Sequence, residues 1–340
     1  AAIALIFLTP IQYELFAATP NLSHGAAPLF LLMLYVLVWA GWRGLPRYAG
    51  ILILNFLLVY TGFGVFVGMI TPCLFAAEAL NAYRARNQKG IWAALSGAGI
   101  SLLTAGSFFI GYHFSPAVDG FKFPIREVWL YPQYMALMLA NFCGVKGVVL
   151  HTYLCGFAIL LLMGTLAAVH TVRVLRPKAA NGQPPADAVI AVLLGFTLLF
   201  CANTAIGRIC VGMPTAQSSR YATHLIPGFF GIYLAFVALP AGLARRFLTA
   251  MFVAGLIVAS FPLRHTDAAI LDWCVQGKTR WKAVYLRTGD IVEATRAAHF
   301  PIYPDPQRTH LKRKLELLKK EGLNLYLDAP KTGLVWRAKV

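Results

Sequence analysis

The sequence predicts an all-α protein: a polytopic bundle of transmembrane helices followed by a small, mostly helical extramembrane domain. Three observations carry this. Of 340 residues, 59% are hydrophobic and only 13% charged, with a mean hydropathy of +0.65, which is too apolar for a soluble domain. Apolar runs of about 20 residues, the length that crosses a hydrocarbon core of ~30 Å, recur along the first 263 positions. Lys and Arg gather in alternate loops between those runs. Soluble enzymes, nucleic-acid modules and disulfide scaffolds are thereby excluded. The net charge of +17 reads as topogenic charge and lipid contact, so no nucleic-acid partner is expected.

The chain opens on AAIALIFLTP, without Met or the charged start of a signal peptide, and reads as the severed end of a first span and hence as a fragment. Clear spans follow at 25–42, 90–112, 147–170, 188–206, 222–244 and 247–263. The stretch 48–83 is too long for one helix and contains Thr61-Gly62-Phe63-Gly64, so it reads as two shorter helices with a turn at Gly62. With that hairpin, and with 129–144 lying along the interface or re-entering, Lys and Arg at 43, 47, 84, 86, 89, 173, 176, 178, 245 and 246 share the inner side. Within residues 1–262 only 122, 126, 146, 208 and 220 lie outside. The result is about nine spans, the first truncated, with a flexible connector at 178–185.

Residues 264–340 form a basic tail domain, expected on the periplasmic side. Asp290 is positioned to cap a short helix over 291–298. The segment 301–306, with three prolines, must be extended or turned. Thr309 can cap a further helix whose Leu311, Leu315 and Leu318 share one face and which ends at Gly322. Lys312, Arg313, Lys314, Lys319 and Lys320 occupy its other faces. That helix either packs within its domain with solvated lysines or lies on anionic lipid head groups.

Ionisable groups in or beside spans are functional candidates, because burying them is costly unless they are paired or hydrated. One cluster is Gln12-Tyr13-Glu14, after Pro10, where Glu14 can act as a base, hold a cation, or simply close a helix end. The second is Arg208 together with Gln217, Ser218, Ser219, Arg220, Tyr221 and His224, in one outer loop leading into a span. Arg220 at the start of its helix sits where the macrodipole disfavours a cation and welcomes an anion. Guanidinium groups match phosphate bidentately, so a phosphate or pyrophosphate head group is a natural ligand; a salt bridge to Glu14, Asp119 or Glu127, or snorkelling to lipid, are the alternatives. His224, one turn on, either reports on that site or bonds a neighbouring helix. His151 and His170, at opposite ends of one span, read as structural. The cysteines at 73, 143, 155, 201, 210 and 274 lack any zinc spacing, and neither a metal nor a cofactor is expected.

The segments LTPIQYE, TGFG, LANFCG, IGR, SSRYAT and LKKEGLNLY, in that order, resemble a group of uncharacterised bacterial polytopic membrane proteins whose layout looks like that of GT-C-type glycosyltransferases. The resemblance implies a multi-pass protein of the bacterial inner membrane that moves a sugar from a polyprenyl-phosphate carrier at the outer face. It also implies that Arg208, Arg220 and Tyr221, with Gln217 and His224 beside them, hold the carrier phosphate while Glu14 serves as the catalytic acid or base. GT-C enzymes usually carry an acidic motif in their first outer loop, and the matching stretch would lie upstream of Ala1. Two other classes compete: a transporter or flippase for an anionic lipid-linked substrate, and a non-catalytic membrane subunit with a basic tail.

Overall fold

The computed structural model describes residues 2–13, 22–113, 120–176, 186–260, 265–302 and 310–327. Among these residues the chain is helical throughout its regular structure, without a strand. It divides into two units, Ala1–Leu263 and Arg264–Val340. The first unit contains α1 (Ala2–Phe7), α2 (Ala27–Gly41), α3 (Gly44–Val59), α4 (Val65–Arg84), α5 (Gln88–Ser107), α6 (Leu130–Phe142), α7 (Leu150–Leu175), α8 (Ala186–Arg208), α9 (Ala222–Val237) and α10 (Leu243–Ser260).

Six helices are long and apolar enough to cross a membrane: His24–Gly41, Val65–Arg84, Gln88–Ser107, Leu150–Leu175, Ala186–Val211 and Leu243–Ser260. The chain is a multi-pass membrane protein. The difference from the expected nine has physical causes. α3 and α9 have 16 residues each, and at 1.5 Å per residue each spans about 24 Å, short of ~30 Å. α9 stops before 244 because Pro240 pushes the residue before it out of the helical region. α1 contributes six residues and continues as a short 3₁₀ turn, Pro10–Gln12. α6, at 13 residues, is short for a crossing, as its sequence suggested.

α8 is the central helix, with 61% of its span buried against 6% for α10. Leu193, Leu194, Phe196, Phe200 and Cys201 are enclosed on it. α9 lies close against α8 because Gly228 has no side chain: a Cβ there would come within 2.7 Å of Thr197 Cγ2. The α3–α4 turn falls where TGFG predicted it, with Thr61 Oγ1 donating to the Leu58 carbonyl at 2.8 Å and the Gly64 amide donating to the Thr61 carbonyl at 2.7 Å.

The expected clustering of basic residues at one end of the bundle is visible in its contacts. Arg47 donates to both carboxylate oxygens of Glu78 at 2.8 and 2.7 Å, Tyr48 donates to the same carboxylate at 3.0 Å, and the guanidinium stacks over Trp39. This one ion pair ties α2, α3 and α4 together. At the same end, Asn81 donates to the Val174 carbonyl at 2.9 Å and Arg84 to that of Leu175, satisfying the last turn of α7. His170 and Asp187 pair at 2.6 Å, with Arg173 at 3.8 Å from the same carboxylate.

The second unit contains α11 (His265–Thr288), α12 (Ile291–Ala298) and α13 (Leu311–Glu321). Asp290 caps α12 as its position suggested, accepting from the amides of Val292 at 2.7 Å and Glu293 at 3.1 Å. Trp281 donates to Thr295 Oγ1 at 3.1 Å, and Phe300 packs where Gly277 leaves room. α13 ends at Gly322 with φ 63°, a conformation that suits glycine. Its Leu311 and Leu315 are buried within the unit while Lys312, Arg313, Lys314, Lys319 and Lys320 are exposed. Thr309 and the segment 303–309 lie outside the described residues. Burial lowers the pKa of Lys278, and burial raises that of Tyr285, helped by its hydrogen bond to Tyr326.

Replacing Glu78 by Ala leaves Arg47 enclosed between Trp39 and Tyr48 with its partner gone. A loss of about 3–5 kcal/mol is expected, read as a large drop in melting temperature in detergent. Glu127→Ala, at an exposed position, is expected to change stability by no more than about 0.5 kcal/mol.

Candidate functional site

The candidate residues lie at the end of the bundle opposite the basic end. After α8 ends at Arg208, the chain runs through 3₁₀ turns at Ile209–Val211, Met213–Gln217 and Ser219–Tyr221 before entering α9. Gly212, with φ 103°, makes the reversal that a side-chain-bearing residue would resist. This returning loop lays its polar side chains over α6 and the first turn of α9.

Its centre is Tyr134 of α6, which is fully buried. The Tyr134 hydroxyl pairs with Thr215 Oγ1 at 3.0 Å, and Thr215 in turn donates to the Gly212 carbonyl at 2.7 Å. Tyr221 opens α9 from the same loop and is buried, and Arg208 closes α8 where that loop begins. Arg220 extends over the Tyr221 ring at 5.7 Å and donates through Nε to Ser218 Oγ at 3.0 Å. Of the two arginines singled out from sequence, Arg220 thus lies over Tyr221 and Arg208 stands at the other end of the same loop. Arg208 is half-buried and Arg220 exposed.

Gln217 and His224 are placed differently. The Gln217 side chain accepts from the Gly147 amide at 2.8 Å and donates to the carbonyls of Val145 and Gly147 at 3.4 Å, so it fastens the returning loop to the α6–α7 connection. His224 is 4% exposed, ringed by Phe63 at 4.7 Å, Phe200 at 4.5 Å and Phe196 at 6.3 Å, and bonded to the backbone of His24. Both position the loop and helix that carry the arginines. The TGFG turn acquires a second role here, since it delivers Phe63 onto the imidazole.

The fold also unites the two sequence clusters. Gln12, buried, donates to the Phe7 carbonyl at 2.9 Å and accepts from Thr223 Oγ1 at 3.2 Å, joining positions 211 residues apart. Gln12 and Tyr13 thus reach the start of α9. Glu14, the residue that follows, lies outside the described residues, as does Asp119. Among the described residues there is no group of three or more His, Cys, Asp or Glu that could hold a metal ion.

No family model, curated protein or solved structure matches this chain.

Sequence reading missed Tyr134 and Thr215, the hydrogen-bonded centre, and the buried or half-buried acids Glu78 and Asp187 at the other end. Tyr134 had a signal: a hydroxyl within an apolar segment too short to cross must find a partner inside the protein. Chemically, the assembled end offers guanidinium, phenol and serine groups, a donor-rich set suited to an oxyanion.

Tyr134→Phe removes the hydroxyl that pairs with Thr215 while keeping the ring. The expected cost is about 1–3 kcal/mol, measured by thermal unfolding in detergent, with the protein still inserted. Tyr233→Phe is expected to stay within about 0.5 kcal/mol.

Proposed function

We propose that the chain is a glycosyltransferase-like protein of the bacterial inner membrane that moves a sugar from a lipid-phosphate carrier at the outer face. The observation that supports it is that Arg208, at the end of α8, and Arg220, over the Tyr221 ring, flank one loop that is fastened to the buried Tyr134 through Thr215. By the positive-inside rule the basic end faces the cytoplasm, which turns the arginine end outward. In this reading the shorter α1, α3 and α9 also cross, making nine spans, and the tail is periplasmic. The exposed lysine face of α13 then meets anionic head groups by charge, with Leu311 and Leu315 turned into the unit.

In the proposed reaction Arg208 and Arg220 neutralise the carrier phosphate. Glu14 takes the proton of the acceptor hydroxyl, and the resulting oxygen nucleophile forms a bond to the anomeric carbon. The bond from that carbon to the phosphate oxygen breaks, and the electron pair leaves on the lipid phosphate, which the guanidinium groups stabilise. Tyr221 adds a hydrogen-bond donor to the same phosphate. Gln217 and His224 act through position, holding the loop and helix that present the arginines.

Binding of a polyprenyl phosphate to the full chain in lipid nanodiscs tests this. Arg208→Ala and Arg220→Ala are each expected to weaken it about tenfold or more, the worth of a charge-assisted hydrogen bond, and to abolish sugar transfer in cells while insertion is preserved. Unchanged binding in both variants contradicts the reading.

A further inference from the structure

The basic end contains a feature that the arginine site does not use. A cavity of ≈ 270 Å³ opens between α7, α9 and α10, walled by Leu166, Val169, Phe236 and Leu248, with His170 and Arg173 at its edge. Its wall ends along the chain at Pro240, and the turn that follows carries Ala241, Gly242, Arg245 and Arg246 around a shallow hollow open to the surface. Arg245 precedes Leu248 by three positions on α10, so the two side chains share a helix face. The apolar recess is therefore followed directly along the chain by a cationic turn at the start of α10.

The charges there are poorly compensated. Arg245 and Arg246 make no ion pair among the described residues. Both sit in the first turn of α10, at the positive end of its macrodipole, where a cation is disfavoured unless an anion is present. Arg173 shares Asp187 at 3.8 Å with His170, which holds that carboxylate at 2.6 Å. Leu256 is the one buried residue of α10, and Val169 is 40% exposed, so the recess opens on a surface that a bilayer covers.

We propose that this is a binding site for an anionic phospholipid of the inner leaflet, with its phosphate on Arg245, Arg246 and Arg173 and an acyl chain in the apolar recess. Guanidinium groups bind phosphate oxygens bidentately, and basic recesses between transmembrane helices on the cytoplasmic side suit anionic head groups. The apolar wall selects a lipid over a free anion, because a free phosphate gains nothing from Leu166, Phe236 and Leu248. This site is separate from the arginine end, and its test does not depend on the proposed sugar transfer.

The purified full chain, delipidated in detergent, is titrated with phosphatidylglycerol, with phosphatidylcholine of the same acyl chains, and with glycerol phosphate, and bound lipid is read by native mass spectrometry. Phosphatidylglycerol is expected to bind well above the other two. The double variant R245Q/R246Q is expected to lose about thirtyfold of that affinity, the effect of two basic side chains at a lipid head group. It is expected to fold, because it relieves two cations at a helix start. Arg86→Gln and Lys89→Gln, exposed at the same end but away from the recess, are expected to bind as the parent does. Equal binding of phosphatidylcholine, glycerol phosphate binding as tightly as the lipid, full binding by R245Q/R246Q, or an equal loss in the Arg86 and Lys89 variants would each overturn the proposal.

Discussion

A polar group carried into hydrocarbon has no water to turn to and must find its partner within the protein. That constraint organises the first unit. Along the apolar middle of the bundle the side chains are Leu, Ile, Val and Phe, with hydroxyls such as Thr71 and Ser101 bonding back to their own helices. Charged and amide groups collect at the two ends, and there they are paired across helices far apart in sequence. Asn55 departs from the pattern: both of its amide atoms are enclosed in α3 without a partner among the described residues, at a cost of about 1–3 kcal/mol.

The two ends are built from different chemistry. At the basic end, guanidinium and imidazole groups meet carboxylates, in Arg47–Glu78 and His170–Asp187, and those pairs clamp helices to one another. At the opposite end Arg220 approaches a phenol ring and a hydroxyl. Arg245 and Arg246, without an ion pair among the described residues, differ in this from Arg47 and Arg173 at the same basic end, which reach carboxylates.

Much of the helical layout was legible because hydrophobic length and glycine breaks are local properties. The hairpin at Gly62, the short α6, the Asp290 cap and the Gly322 stop all follow from neighbouring residues. Span number was less legible. Composition runs through Pro240 without interruption, but the helix does not, so α9 is shorter than its apolar run. Of the candidate residues, Arg220 was singled out by its charge at a helix start and Arg208 by its place in the same loop, while Gln217 and His224 are occupied by backbone and aromatic partners that no local pattern announces. Tyr134 escaped notice because its importance comes from Thr215, 81 positions away.

By itself the sequence determined that this is a helical membrane protein with its positive charge biased to one end, because transfer free energy and the charge rule act on each segment separately. Only the tertiary structure decided which polar groups meet: that Gln12 reaches Thr223, that Phe63 covers His224, and that Tyr134 pairs with Thr215. Those contacts depend on helix packing, where a missing Cβ at Gly228 or a reversal at Gly212 sets the approach of whole elements. Such distances between remote residues are properties of the packed bundle, and no window of residues along the chain contains them.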